Sequence, residues 1–313
     1  MDNLRTYYFT KQGTTNAVDG VSFRLLEGKT LGITGESGCG KSTLAHSIPR
    51  LLPQSAKVVS GTICYKGLDL VTASESKLRE IRWRRISLIF QAAMNALNPV
   101  RRVGEQVSEA IIYHEKNRRS EARRRTKRLF EMVGLDSARM NDYPHEFSGG
   151  MRQRIVIAMA IACEPDLVIA DEPVTALDVL VQAQILDLLD SLKRELKISM
   201  ILITHDLSVV KQLSEFVAVM YAGKVVEYAP VDLLLRKPHH PYTKALIQAL
   251  PQISGGRHSL RSLAGTPPNL VHPPPGCRFH PRCPFVMERC KVEEPLLTEQ
   301  GMNHTSACFL RST

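Results

Sequence analysis

Short apolar runs bounded by glycine or charge recur along much of the chain. Val18-Asp19-Gly20-Val21-Ser22-Phe23 and Thr30-Leu31-Gly32-Ile33-Thr34 read as strands between turns. Ile86 to Phe90, Leu167 to Ala170, Met200 to Thr204 and Phe216 to Tyr221 read as buried strands, with helical patterns between several of them and one helix starting at Lys41. That alternation predicts an α/β domain with a largely parallel sheet. From Gln91 to Phe147 the strand signal gives way to charge-rich helical periodicity, through Val103 to Tyr113 and Ser120 to Val133. An inserted helical subdomain is predicted there, at about 92–147. After Tyr228-Ala229-Pro230 the character changes again. Thr266 to Pro275 holds five prolines, which no helix interior or central strand accepts. The predicted division is a principal domain over 1–230 and a small irregular C-terminal module over 231–313.

Composition adds little to this picture and removes some options. Apolar residues make up 43% and charged residues 23% of 313, enough to bury a core without disulfides. The longest clean apolar stretches, such as Ile155 to Cys163, fall short of the roughly 20 residues that cross a bilayer. Met1-Asp2-Asn3-Leu4-Arg5 lacks the features of a secretory signal, so a cytoplasmic location is expected. The net charge of +10 is compatible with nucleic acid, an anionic membrane or phosphate handling. Much of the excess lies in Lys116 to Arg128, read as a solvated helix face.

Three motifs carry chemistry. Gly35-Glu36-Ser37-Gly38-Cys39-Gly40-Lys41-Ser42 matches G-x-x-x-x-G-K-[ST] after a predicted strand and before a predicted helix. Its glycines let backbone N–H groups wrap phosphate oxygens, Lys41 reaches the β/γ-phosphates, and Ser42 can bind Mg²⁺. Gly35, Ser37, Gly38, Cys39, Gly40, Lys41, Ser42 and Thr43 form the expected nucleotide-binding set. The apolar run Leu167 to Ala170 ends in Asp171-Glu172. Asp171 can hold Mg²⁺, directly or through water, while Glu172 polarises the attacking water. In Phe147-Ser148-Gly149-Gly150-Met151-Arg152-Gln153, Ser148 is a candidate N-cap for the apolar helix through Ala162, and the two glycines bare backbone amides for an anion.

Taken together with Gln91 after a strand, Ala176-Leu177-Asp178 and Thr204-His205-Asp206, these motifs resemble the ATP-binding cassette (ABC) family in order and spacing. The resemblance implies a P-loop ABC ATPase core that binds and hydrolyses ATP with Mg²⁺. It implies that Gln91 senses Mg²⁺ and couples to membrane subunits, and that Ser148, Gly149, Gly150 and Gln153 form the signature that caps the γ-phosphate bound by the opposite subunit of a dimer. It further implies that Asp178 communicates across that dimer, that His205 contacts the γ-phosphate, and that Tyr8 stacks on adenine. Tyr7 and Phe9 are neighbours that could supply the ring instead. The sequence departs from the family at Val174, where a hydroxyl residue is usual, and its first strand is expected to be shortened.

Seven cysteines fall into two groups. Cys39, Cys64 and Cys163 are scattered, and no metal role is expected for them. Cys277, Cys283, Cys290 and Cys308 form C-x5-C-x6-C-x17-C, and clustered thiols in a cytoplasmic protein point to metal. Four thiolates suit Zn²⁺ or an iron–sulfur cluster, and spacing does not choose. Pro238-His239-His240-Pro241-Tyr242-Thr243, Gly265-Thr266-Pro267-Pro268 and Gly276 to Pro284 are similar to the C-terminal extension of ATPase subunits of oligopeptide/dipeptide importers. There the resemblance implies a [4Fe–4S] cluster, with zinc, or thiols that are unliganded or disulfide-prone, as the alternatives. Residues 171–184 look most like the D-type ATPase of these systems. That implies a homologous ATPase partner in a heterodimer, two transmembrane permease subunits and an extracytoplasmic solute-binding protein, on the cytoplasmic face of the membrane, with peptide cargo and with nickel or sugar as alternatives. A non-transport ABC ATPase acting on nucleic acid is the rival. It would call for two cassettes or long coiled coils, and the sequence has one cassette, no heptads and no aromatic-interleaved basic patch, so no nucleic-acid partner is expected. A regulatory subunit without hydrolysis is opposed by Lys41, Glu172 and His205 together.

Overall fold

Antiparallel pairing organises the start of the chain. In the computed structural model, which describes residues 1–90, 96–115, 119–249 and 265–310, the chain forms two compact units. One is built from Met1–Arg24, Leu31–Thr72 and the described residues from Thr204 on, the other from Leu25–Thr30 and the described residues of Ala73–Ile203.

In the first unit, β1 (Asp2–Thr10) pairs with β2 (Gly13–Val21) through a tight connection that sets Thr10 against Gly13. Then follow β3 (Thr30–Thr34), α1 (Lys41–Ser47), β4 (Ala56–Thr62) and the short hairpin β5 (Cys64–Tyr65) and β6 (Leu68–Asp69). β4 pairs with the other edge of β1, giving an antiparallel sheet of order β2-β1-β4. Flanked on both sides, β1 keeps nine residues instead of being shortened. Its pairing also moves β2 upstream of the expected Val18 to Phe23.

The chain then builds the second unit. α2 (Glu75–Ile81), β7 (Ile86–Ile89), α3 (Val103–Glu115), α4 (Arg119–Met132), α5 (Gly149–Ile161), β8 (Leu167–Asp171), α6 (Val179–Leu196) and β9 (Ser199–Ile203) follow in order. β7, β8 and β9 run parallel in that spatial order, Leu167 opposite both Ile86 and Ser199. β9 is buried throughout, the burial expected of a strand covered on both faces. Among the described residues, no strand lies between Ile89 and Leu167. There α3 buries Val103, Val107, Ala110 and Ile111, and α4 buries Ala122, Thr126, Leu129 and Phe130 at helical spacing. The described part of the basic run keeps Arg123, Arg124, Lys127 and Arg128 exposed, so it is a solvated helix face. Arg125 instead folds onto Glu115 and the Ala162 carbonyl.

Returning to the first unit, the chain adds α7 (Leu207–Leu213), β10 (Phe216–Tyr221), β11 (Lys224–Pro230), α8 (Val231–Arg236), α9 (Pro241–Gln248), α10 (Glu288–Val292), β12 (Thr298–Glu299) and β13 (Thr305–Ser306). β10 runs parallel to β3 and antiparallel to β11, and β13 extends the sheet by pairing with Glu227 and Tyr228. The C-terminal residues are therefore less irregular than expected. They also share a core with the sheet: Phe279 is 1% exposed and meets the Tyr221 ring at 5.2 Å, while Tyr242 meets it at 4.6 Å. Buried Glu227 ties three segments together, accepting from the His239 and His240 N–H groups and pairing with His304 Nε2 at 2.6 Å. Burial opposes its ionisation, but these bonds, led by that from His304, hold the carboxyl below the usual range.

Candidate functional site

The phosphate loop is built by close backbone approach. β3 is wholly buried and delivers the chain at Gly35, whose φ is 151°. A Cβ there would lie 2.1 Å from the Met220 carbonyl oxygen, and one on Gly40 would lie 1.9 Å from that of Ala17. Only glycine fits either place. Gly40 caps α1 with φ 104°, so the helix begins at Lys41 as the sequence predicts. Ser37 and Gly38 form the exposed crown, and Cys39 is buried, its thiol pushed up by burial. Lys41 curls over the loop, donating from Nζ to Gly35 O at 2.7 Å and Glu36 O at 3.0 Å. Ser42 and Thr43 follow on the first turn, both half-buried.

The aromatic cluster of β1 is sorted by strand alternation. Thr6 and Tyr8 face α1: Thr6 Oγ1 lies 2.9 Å from Ser47 Oγ, and the Tyr8 hydroxyl 3.3 Å from Thr43 Oγ1. Tyr7 points the other way and donates to Asp19 Oδ1 at 2.8 Å. Phe9 is 48% exposed. Of the three rings, Tyr8 is the one hydrogen-bonded beside the phosphate loop. His205 is exposed, between Thr204, whose N–H donates to Ile33 O at 3.1 Å, and Asp206, which caps α7.

Within the second unit, β8 ends at Asp171, 1% exposed. Glu172 then takes φ 47°, a left-handed conformation uncommon for a side chain of this size, and is held there by its N–H donating to Ile203 O at 2.8 Å and by Thr175 Oγ1 donating to its Oε2 at 2.8 Å. Val174 is 7% exposed, a setting that suits an apolar side chain. Ser148 is the N-cap of α5, accepting from Met151 N. Asp178 caps α6 by accepting from Val181 N at 2.9 Å. These two caps are neighbours, since a Cβ on Gly150 would come within 2.5 Å of Val181 Cγ1. Ser148 and Asp178 are exposed, as are Val179 and Leu180, whereas Gln153 is 4% exposed inside α5. Gln91 lies outside the described residues.

The four C-terminal cysteines line one small apolar pocket together with His240, Phe279, His280 and Phe309. Three segments bring them there. A backbone bond from Cys277 N to Cys290 O at 2.8 Å closes one loop, a 3₁₀ turn at His280–Arg282 places Cys283, and Ala307 N bonded to Val226 O anchors Cys308. Burial pushes the Cys277 thiol up to about 11, and the neighbouring Cys290, Cys308 and Cys283 push the same way. Among the described residues no group of three or more potential ligands converges to hold a single metal ion. Two residues on Glu36 escaped the sequence reading: Tyr242, whose hydroxyl accepts from Glu36 N at 2.8 Å, and Arg282, whose guanidinium grips its carboxylate. No local pattern marks either contact.

The cassette fold and its motifs define an ABC ATPase, and the chain belongs to the ABC transporter family, whose model matches residues 18–175. Residues 226–290 match the C-terminal region of oligopeptide/dipeptide transporters. The dipeptide transport ATP-binding protein DppD of Bacillus subtilis is 48% identical, over 99% of this chain and 94% of that protein. The oligopeptide transport ATP-binding protein OppD of Escherichia coli is 44% identical, over 98% and 91%. Among solved structures, the dimeric post-hydrolysis state of the ATP-binding cassette MJ0796 bound to ADP and Pi has a TM-score of 0.66 at 28% identity, covering 74% of this chain and 97% of that one.

Proposed function

We propose that this ABC ATPase powers the import of di- or oligopeptides across the cytoplasmic membrane. The observation that carries the reading is likeness along nearly the whole chain, C-terminal region included, to ATP-binding proteins named for dipeptide and oligopeptide transport. In this reading the chain divides near residue 230, between cassette and extension. It sits on the cytoplasmic face beside two permease subunits served by a solute-binding protein, and it pairs with a homologous ATPase. No described helix is long and apolar enough to cross a membrane.

The residues act as follows. Tyr8 stacks on adenine, supported by its place beside Thr43. The backbone of Gly35 to Thr43 wraps the phosphates, and Lys41 exchanges its two loop carbonyls for the β- and γ-phosphate oxygens. Glu172 orients and polarises the attacking water, and His205 contacts the γ-phosphate. Ser148, Gly149, Gly150 and Gln153 form the signature that caps the γ-phosphate held by the partner subunit, and Asp178 communicates across the dimer. The exposure of Ser148 and Asp178 supports this. Mg²⁺ suits the hard oxygens of Ser42, Asp171 and Gln91 and supplies positive charge to the phosphates. Cys277, Cys283, Cys290 and Cys308 hold a [4Fe–4S] cluster, supported by the one apolar pocket they share.

Reconstitution with the cognate permease pair and binding protein in liposomes tests the cargo. ATP-dependent uptake of a labelled di- or oligopeptide is expected; uptake of a nickel chelate or sugar in its place overturns the reading.

A further inference from the structure

We propose that Arg282 is a positioning residue for the phosphate loop: it cancels the charge of Glu36, which would otherwise oppose ATP, and so links the cysteine-bearing turn to nucleotide affinity. The proposal rests on 35–42 being the nucleotide loop.

Glu36 is the second residue of a loop whose task is to bind a polyanion, and a bare carboxylate there repels it. Arg282 meets that carboxylate with both arms, Nη1 to Oε2 at 2.6 Å and Nη2 to Oε1 at 3.0 Å. The Arg282 side chain is only 5% exposed and that of Glu36 25%, so solvent screens the pair less than a surface ion pair. The guanidinium is itself held, donating to the Tyr221 hydroxyl at 3.3 Å. The rest of Glu36 is fixed too, its N–H by Tyr242 and its carbonyl by Lys41. Arg282 therefore neutralises the residue and completes its grip.

Arg282 stands on a turn bracketed by two of the pocket thiols. His280 N donates to Cys277 O at 2.9 Å, Arg282 N to Phe279 O at 3.0 Å, and Cys283 N to His280 O at 3.3 Å. Phe279 nails the turn into the core. Whatever orders Cys277 and Cys283 orders the arginine between them, and disorder there uncovers the Glu36 charge beside the phosphates.

The test is ATP affinity of the full chain, measured by titration with Mg-ATP, with melting temperature and metal content recorded for each variant. Arg282→Met should weaken ATP about fivefold or more, within ordinary coupling between sites, and the loss should shrink as salt is raised. Glu36→Gln alone leaves the Arg282 charge uncancelled beside the phosphates and should bind ATP at least as tightly as the parent, and adding it to Arg282→Met should restore affinity to within about twofold of the parent. Arg282→Gln gives a second charge removal should the Met variant fold poorly. Cys283→Ser should weaken ATP in the parent but not in the Glu36→Gln background. An unchanged affinity in Arg282→Met, or a double variant as weak as the single, overturns the proposal; equal weakening by Cys283→Ser in both backgrounds overturns the link to the turn. A parent chain that binds no ATP would instead overturn the nucleotide-loop reading.

Discussion

Asp19 in β2 and Arg278, 259 residues later, form a buried ion pair that fastens the C-terminal segment to the N-terminal sheet. Arg278 also donates to the Ala222 carbonyl, and Asp19 accepts from Tyr7 and faces Lys224 at 3.5 Å. Arg278→Met leaves Asp19 buried without its nearest cation and should cost about 2–4 kcal/mol in denaturant unfolding.

The same carboxylate sets a pH dependence. Burial opposes its ionisation, yet Tyr7, Lys224, Arg278 and Arg5 hold it below the usual range. A depressed acid stabilises the fold above its unfolded pKa and loses that contribution as pH falls through the folded value. The parent should thus lose stability below about pH 4, and Asp19→Asn should flatten that part of the stability curve.

Two loop glycines should behave differently. Gly40→Ala drives a methyl into the Ala17 carbonyl at φ 104° and should abolish ATP binding. Gly38 has φ 78° but nothing within 4 Å of a Cβ, so Gly38→Ala meets only backbone strain, about 1–3 kcal/mol, and should bind ATP weakly. Equilibrium titration separates them.

Glu172→Gln should leave ATP affinity unchanged and lower turnover at least ~100-fold, the scale of a lost general base. Persistent hydrolysis would remove Glu172 from its role.

Gly150→Ala should lower the melting temperature, because its methyl would meet Val181 Cγ1 at 2.5 Å, an overpacking cost of about 1–3 kcal/mol. Val181→Ala should restore it.

Anaerobic purification should yield a brown chain with iron and acid-labile sulfide, and Cys283→Ser should reduce both. Stoichiometric zinc would replace the cluster assignment.

Local chemistry was legible from sequence. The start of α1 at Lys41, the Ser148 cap of α5 and the buried run ending at Asp171 depend on residues a few positions apart, so their patterns survive in one dimension. The family resemblance rested on the same local motifs. What sequence left open was settled by contacts with no period. β4 was missed and β1 was expected to be shorter, because their partners, not their own patterns, fix them. The directions of Tyr8 and Tyr7 came only from the packed strand, which turns one toward Thr43 and the other toward Asp19. The meeting of Arg282 with Glu36, 246 residues apart, was likewise invisible in the sequence. Spacing could group four thiols, but only the core around Phe279 and the anchoring of Ala307 to Val226 bring Cys308 into one pocket with the other three. Short-range hydrogen bonding and burial leave marks on neighbouring residues, whereas pairing across hundreds of residues is chosen by the packed chain as a whole.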